Sequence, residues 1–470
     1  MNEEGAEHTN PSEDEIKQLA QRFEQMLEQN LNFFFDSGEL EDLVEHYIDT
    51  NNIPLALKAV EFAETRFPNA AFFIIRKAQI FSAQNKSHDA LNLLIKAELY
   101  ESSNYELLMT KGGVYSQMGL TDQAVETYKK ALEVAETPDE VYLFIAYEFE
   151  NTSRYNDAIY YLSKALEVNP DNESALYELS FCYEISEQAE KSVEFFSKFS
   201  DANPYSTPAW FNLGLAYNKL GMFEKAIDAY DYAIAIKENF ASAHFNKANA
   251  LAGMGKFDEA ITCYQETFRH EPADAITYYY IGECYEKKED WEHAMINYNR
   301  AVKLEPELAD AWMGMGIVLD NQNRLIEGIH YIKKALSLDS DNADYWFIYG
   351  EVQHRLGFIE EAEGAYKKVL ELDHDNPDIW LNYSDLLFEQ KMQKEAVEIL
   401  SDGIKHFPDN AELQYRMTAC LISLGEKQEA VSFLQNALQL DYEKHNELFD
   451  YYPQLRDNPA IIDLIESFKK

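Results

Sequence analysis

The stretch AWFNLGLAYNKLGMFEKAIDAYDYAIAI, residues 209–236, decides the fold. Trp210, Leu213, Gly214 and Tyr217 recur at helical spacings, which puts them on one face of an α-helix. Ala226, Tyr230, Ala233 and Ile234 form a second stripe of the same kind. Gly221 falls between the two, where a chain reversal needs a residue free to adopt positive φ. The spacing predicts a helical hairpin. Within it there is no catalytic cluster, no glycine-rich phosphate loop and no metal-ligand spacing.

Outward from this hairpin the pattern repeats every 34 residues. With Thr207 as position 1, the register runs back to Ser37 and forward to Ala411 without insertion or deletion, so twelve units fill residues 37–444. Position 20 reads Ala56, Ala90, Ala124, Ala158, Ser192, Ala226, Ala260, Ala294, Gly328, Ala362, Ala396 and Ala430, which predicts an enclosed site. Position 8 is nearly as restricted, with Gly112, Gly214, Gly282, Gly316 and Gly350 among its members. Small residues on both helices predict their close approach.

These columns resemble the tetratricopeptide repeat family, whose unit has a large residue at position 4, a small one at 8, Ala at 20, an aromatic at 24 and Pro at 32. Here position 4 holds Trp210, Trp312, Trp346 and Trp380, and position 24 holds Tyr128, Tyr230, Tyr264, Tyr298 and Tyr366. Position 32 holds Pro68, Pro170, Pro204, Pro272, Pro306 and Pro408. The resemblance implies an all-α fold, a right-handed TPR α-solenoid of stacked hairpins. The fifth, ninth and eleventh units depart from the pattern at Ser192, Phe199, Gly328 and Gly403, and these are read as softer joints or as local repacking.

An open stack needs capped ends, because each hairpin buries its face only against neighbours. Residues 1–36 are read as an acidic segment and a capping helix, in which Ser12 and Glu15 have capping-box spacing ahead of Ile16, Leu19, Phe23, Met26, Leu27 and Leu31, closing near Gly38. Residues 445–470 are read as a helical cap through Leu448, Tyr451, Tyr452 and Leu455, then a short helix from Pro459 with Ile461, Ile462, Ile465 and Phe468. No catalytic domain is expected after it.

Composition narrows the partners. With 84 acidic and 40 basic residues the formal charge is −44, which repels nucleic-acid phosphates and anionic lipid. Nucleic acid and membrane are therefore not expected partners. No export signal or apolar run long enough to span a bilayer stands in the sequence, and a cytoplasmic location is expected. Cys182, Cys284 and Cys420 recur at one unit position and, with Cys263, are read as reduced, buried and apolar. Signatures of nucleotide, zinc and serine-hydrolase sites are missing. The aspartate runs at 339–344 and 373–378 lack the Gly and terminal Glu of a calcium loop and fit helix caps. The chain is expected not to be an enzyme and to hold no cofactor and no metal.

In the resembled family, positions 2, 5, 6, 9, 12 and 13 of successive first helices line a concave groove. Position 5 here is a nearly continuous apolar ladder, from Ile75 and Met109 through Phe347 to Tyr415, and serves either packing or peptide binding. It carries no base, which disfavours the carboxylate clamp of family members that serve heat-shock chaperones. Basic groove residues are scattered: Arg76, Lys219, Lys287, Arg355 and Arg416. Between acidic flanks, the resemblance points to Phe211, Asn212, Leu215, Asn218, Phe245, Asn246, Asn249, Tyr279 and Tyr280 as partner contacts. Asn amides donate and accept, so a row of them suits an extended peptide backbone, and rings suit its apolar side chains. The expectation is a scaffold for protein or extended-peptide partners. An accessory arm that positions substrates for a catalytic partner in trans is the alternative, suggested by the likeness of these asparagines to the groove of a TPR-bearing glycosyltransferase. Self-association through an end cap is a third reading, and the sequence leaves the oligomeric state open.

Overall fold

The computed structural model describes residues 12–469; most of the acidic leader, residues 1–11, and Lys470 lie outside the described residues. Among the described residues there are twenty-seven α-helices and one short 3₁₀ helix, and no strand. They divide into two compact units, one ending at Glu238 and the other beginning at Asn239. Both are built of antiparallel helical hairpins.

The quoted stretch forms helices Thr207–Lys219 and Phe223–Ile236. First helices of twelve hairpins start at Ser37, Ala71, Tyr105, Pro138, Glu173, Thr207, Ala241, Ala275, Ala309, Ala343, Pro377 and Ala411, within one residue of a 34-residue step. Each first helix ends the same way. Position 15 has positive φ in every hairpin, from Asn51 at 55° to Gly425 at 87°, with Gly221 at 69°. The following amide closes a Schellman bond to the carbonyl of position 11, for example Met222 to Tyr217 at 2.9 Å and Gln188 to Tyr183 at 2.9 Å. Only five of the twelve positions are glycine; Ser153, Glu187, Glu289 and Lys391 hold the left-handed conformation without one.

Packing within a hairpin follows the small columns. All twelve residues at position 20 are buried. At position 8, glycine answers tyrosine at position 24: a Cβ on Gly282 would stand 2.7 Å from the Tyr298 ring, and one on Gly350 2.6 Å from Tyr366. Gly112 with Tyr128 and Gly214 with Tyr230 repeat the arrangement. The tryptophans at position 4 tie hairpins to their connecting loops. Trp210, Trp312 and Trp346 donate their indole N–H to the carbonyls of Pro204, Pro306 and Ser340, at 2.9, 2.9 and 2.8 Å.

Gly328 and Gly403 sit in close contacts, not loose joints. A Cβ on Gly328 would meet the Gly316 carbonyl oxygen at 3.0 Å, and one on Gly403 would meet Trp380 at 2.8 Å. At the fifth hairpin Ser192 is buried, and Phe199 stacks on Phe195 with centroids 5.7 Å apart. These departures are local repacking.

In the first unit, Ser12 and Glu15 form the expected capping box, and helix Glu13–Gln29 buries Ala20, Phe23 and Met26. It closes at Asn30 in the left-handed conformation, well before Gly38. Asp36 and Glu39 make a second capping box that starts the next helix, Ser37–Asp49, with Gly38 inside it. The intervening segment turns Phe35 into the core against Phe23 and Phe62, both at 5.8 Å. Leu27 and Leu31 are left exposed.

The second unit ends in helix His445–Tyr451, a 3₁₀ turn and helix Pro459–Ser467. They bury Leu448, Leu455, Ile461 and Ile465 against Tyr415, Ala419 and Leu434. The aspartate runs are helix caps: Asn342 accepts from the amide of Tyr345, and Asn376 from that of Asp378. Cys182, Cys284 and Cys420 are buried free thiols, and burial pushes Cys284 and Cys420 up to about 12. Cys263 is only half-buried, short of the full burial expected for it.

Candidate partner-binding faces

The face that the family resemblance assigns to ligands comprises positions 2, 5, 6, 9, 12 and 13 of the first helices. In the first unit, position 5 is mostly packing. Ile75 is buried, Met109 and Leu143 are half-buried, and Phe211 lies 6.0 Å from Tyr230, whose ring is enclosed. Asn212 is fully buried, and its Nδ2 donates to the Leu176 carbonyl of the preceding hairpin at 3.1 Å. That removes it from any exposed asparagine row: the amide satisfies a neighbouring helix. Leu215 and Asn218 are half-buried, and the Oδ1 atoms of Asn212 and Asn218 have no hydrogen-bond partner among the described residues.

The apolar surface left open starts from one position-5 side chain and runs on through positions 9 and 13. On helix Glu173–Ile185, Tyr177, Phe181 and Ile185 follow at i, i+4 and i+8 and are 40%, 45% and 49% exposed. On helix Pro138–Glu150, Phe144 is 43% exposed and stacks on Tyr128 at 5.8 Å, with Tyr147 beside it at 6.5 Å. Position 5 was the apolar column singled out from the sequence, and Phe144, Phe181 and Ile185 were missed. The i, i+4, i+8 spacing on a helix whose other face carries Leu176, Leu179 and Tyr183 was the available signal.

In the second unit, rings gather. Phe245 meets Tyr264 at 5.4 Å and Tyr280 at 5.5 Å, Tyr264 stacks on Tyr280 at 5.9 Å, and Tyr279 meets Tyr280 at 5.2 Å and Tyr298 at 5.9 Å. So Phe245, Tyr279 and Tyr280 are brought together, half-buried in one cluster. The asparagines beside them are bonded locally. Asn249 Oδ1 accepts from the Tyr264 hydroxyl at 2.5 Å, and Asn246 Nδ2 donates to the Ser242 carbonyl at 2.9 Å. A cleft of about 230 Å³ opens beside Phe245 and Asn246, lined also by Ser242, Glu271, Asp274 and Ile276. Burial raises the carboxyl of Glu283, with the Tyr279 hydroxyl partly offsetting it, and that of Glu286, which accepts from Tyr298 at 2.7 Å.

Three of the scattered bases are ties between consecutive hairpins. Arg76 at position 6 reaches Glu45 of the hairpin before it at 2.6 Å and Glu106 of the one after. Arg416 at position 6 holds Asp385, Asn382 at position 6 donates to Glu351 at 3.0 Å, and Arg355 pairs with Asp320 at 2.5 Å. Arg76, Asn382 and Arg416 all reach from position 6 back to position 9 of the hairpin before, whereas Arg355 reaches from position 13 to position 12. Lys219 and Lys287, both exposed, make no ion pair among the described residues.

The described residues bring no three His, Cys, Asp or Glu side chains into a metal-binding group, and none of their helices is long and apolar enough to cross a membrane. What repeats is a helical hairpin with recurrent small, aromatic and left-handed positions, which defines a helical-repeat protein. Sequence profiles described as tetratricopeptide repeat match residues 105–138, 139–172, 207–240, 245–311, 313–377, 355–409 and 387–444. The chain belongs to the tetratricopeptide repeat family. No curated protein sequence matches it significantly. Among solved structures it is similar to the APC/C hetero-tetramer Cut9–Hcn1, at 16% identity over 87% of this chain and 93% of that one, TM-score 0.44. It is similar to yeast Tom70 at 15% identity over 86% and 99%, TM-score 0.45, and to MamA at 27% identity over 34% and 95%, TM-score 0.31.

Proposed function

We propose that the protein is a non-catalytic, cytoplasmic scaffold that binds protein or peptide partners on its first-helix faces. Residues 1–36 and 445–470 act in this reading as end caps of the repeat array at 37–444. Membership of a family of protein-interaction scaffolds supports the class. The observation that carries the location is the apolar side chains left half-exposed on first helices, Tyr177, Phe181 and Ile185, at positions that the family resemblance assigns to ligand contact. Such side chains lose unfavourable hydration only when a partner covers them. Nothing in the geometry favours an accessory arm, because the asparagines that suggested one are buried or locally bonded.

The test is site-specific photo-crosslinking in the native cell. A photoreactive residue replaces Phe181 or Ile276 on first helices, or Tyr160 or Ile326 on second helices, all four exposed. Partner adducts concentrated at the first two sites are expected. Adducts confined to the second-helix sites would place the interaction on the opposite surface and overturn the reading.

A further inference from the structure

The exposed stripe on helix Glu173–Ile185 is accompanied by two carboxylates that lack a strong hydrogen-bond donor. Several acidic side chains on the first-helix faces are engaged by a base, Glu45 and Glu106 by Arg76, Asp320 by Arg355 and Asp385 by Arg416, and Glu283, Glu286 and Glu351 accept a hydroxyl or amide hydrogen bond. Glu178, one residue from Tyr177, has no hydrogen bond and no ion pair among the described residues. Glu150, across from it on helix Pro138–Glu150, accepts only the weak Cys182 Sγ–H at 3.4 Å. Cys182, one helical turn on from Glu178, reaches Glu150, so the two carboxylates face each other across the hairpin junction, where Glu178 helps to raise Glu150. Burial raises both carboxyls, so each is partly desolvated without a compensating cation.

An apolar stripe with half-desolvated, unpaired carboxylates along its edge has a complement of definite chemistry. A second copy of this chain does not supply it, because two bodies of net charge −44 repel. The chain's own leader, MNEEGAEHTNP, brings further acid and no Lys or Arg.

We propose that the face formed by Phe144, Tyr147, Tyr177, Phe181 and Ile185 docks a partner segment that carries Lys or Arg among large apolar side chains, its cation seated between Glu150 and Glu178. The inference rests on the scaffold reading and narrows it to one face and one partner chemistry. The apolar side chains cover the stripe, and the cation relieves the repulsion between the two carboxylates, an exchange that strengthens where water is excluded. Apolar contact then sets the residence time, and charge sets selectivity and encounter rate.

The test uses the full chain and three fluorescent synthetic peptides of about fifteen residues, long enough to span two neighbouring first helices at roughly 10 Å apart. One alternates Leu and Lys, one Leu and Glu, and one Ser and Lys. Anisotropy titration at physiological salt is expected to show the Leu/Lys peptide binding at least about tenfold tighter than either control, since neither apolar contact nor charge suffices alone. The double substitution Phe181→Ser with Ile185→Ser, at half-exposed sites, is expected to weaken Leu/Lys binding about tenfold, and Glu178→Gln to weaken it several-fold and flatten its salt dependence. Ile326→Ser, on an exposed second-helix site, is expected to leave it unchanged. Equal binding of the Ser/Lys peptide would show a non-specific polyanion effect and overturn the proposal. So would Leu/Lys binding indifferent to the Phe181, Ile185 and Glu178 variants, or no binding of any peptide. In each of those cases crosslinks from other first-helix sites would leave the scaffold reading standing, and their absence as well would remove both.

Discussion

Replacing Glu187, Glu289 and Lys391 each by glycine should stabilise the hairpins that contain them. All three occupy position 15 in the left-handed region, with φ of 56°, 58° and 61°. An L-residue there is less stable than in the right-handed region by about 1–2 kcal/mol, from the crowding of Cβ against the carbonyl. Glycine removes that strain but enters a more disordered unfolded chain, which returns about 0.5–1 kcal/mol. The difference leaves a net gain of about 0.5–1 kcal/mol per site. The three side chains are exposed and make no hydrogen bond or ion pair among the described residues, so no contact is lost. The native glycines give the reverse test. A Cβ at Gly221 would meet nothing within 4 Å, so Gly221→Ala probes backbone conformation alone and should cost about 1 kcal/mol.

A solenoid need not unfold in one step, so the readout should be local. Hydrogen exchange of the helices flanking each turn should slow by roughly two- to fivefold in the glycine variants, the factor that corresponds to about 0.5–1 kcal/mol. Charge offers a competing explanation, because removing a glutamate also relieves repulsion in a chain of net charge −44. Lys391→Gly separates the two: it removes a positive charge, yet the strain argument requires the same gain. Stabilisation at Glu187 and Glu289 with loss at Lys391 would assign the effect to electrostatics, and unchanged protection at all three would refute the strain reasoning.

Three further outcomes follow from the packing and the titrating groups. Ala226→Leu, at an enclosed position 20, should destabilise its hairpin and its neighbours by about 1–3 kcal/mol through overpacking, seen as lost exchange protection around residues 207–236; unchanged protection would contradict the enclosure. Trp346→Phe keeps the ring but loses the indole bond to the Ser340 carbonyl at 2.8 Å, and should cost about 0.5–1.5 kcal/mol, read from chemical denaturation; no loss would mean the bond contributes nothing net. Burial raises the Asp385 carboxyl to about 6 against the pull of Arg416, so between that value and an unfolded value of about 3.9 the folded protein binds more protons than the unfolded one. Stability of the wild type relative to Asp385→Asn should therefore rise as pH falls from about 6 to about 4 in thermal melts, and a relative fall on acidification would reverse the assignment.

The register was legible because it is written in columns that admit few residue types. Only a small side chain fits at position 20 beside a facing helix, and at position 8 a Cβ on Gly282 or Gly350 would crowd the Tyr298 or Tyr366 ring, so those columns announce the hairpin in sequence. What a given surface column does is less local. Asn212 and Asn246 stand at the same register position, yet Asn212 is buried against the Leu176 carbonyl, while Asn246 is half-exposed and bonds back along its own helix. Position 5 reads as one continuous apolar ladder, but Ile75, Met313, Leu381 and Tyr415 are buried whereas Tyr177 stands out in solvent. The depth of a groove side chain depends on the bulk of its neighbours in the adjoining hairpins, which lie 34 residues away, and a column read by itself does not contain them. Cross-hairpin ties are legible only as pairs of columns: Arg76 with Glu45, Asn382 with Glu351 and Arg416 with Asp385 all join position 6 to position 9 of the hairpin before. Glu178 shows the converse, since it occupies position 6 where a base or amide would make that tie. Across from it at position 9 stands Tyr147, so the carboxylate has nothing to hold, and at this junction Phe144, Tyr177 and Phe181 stay open to a partner.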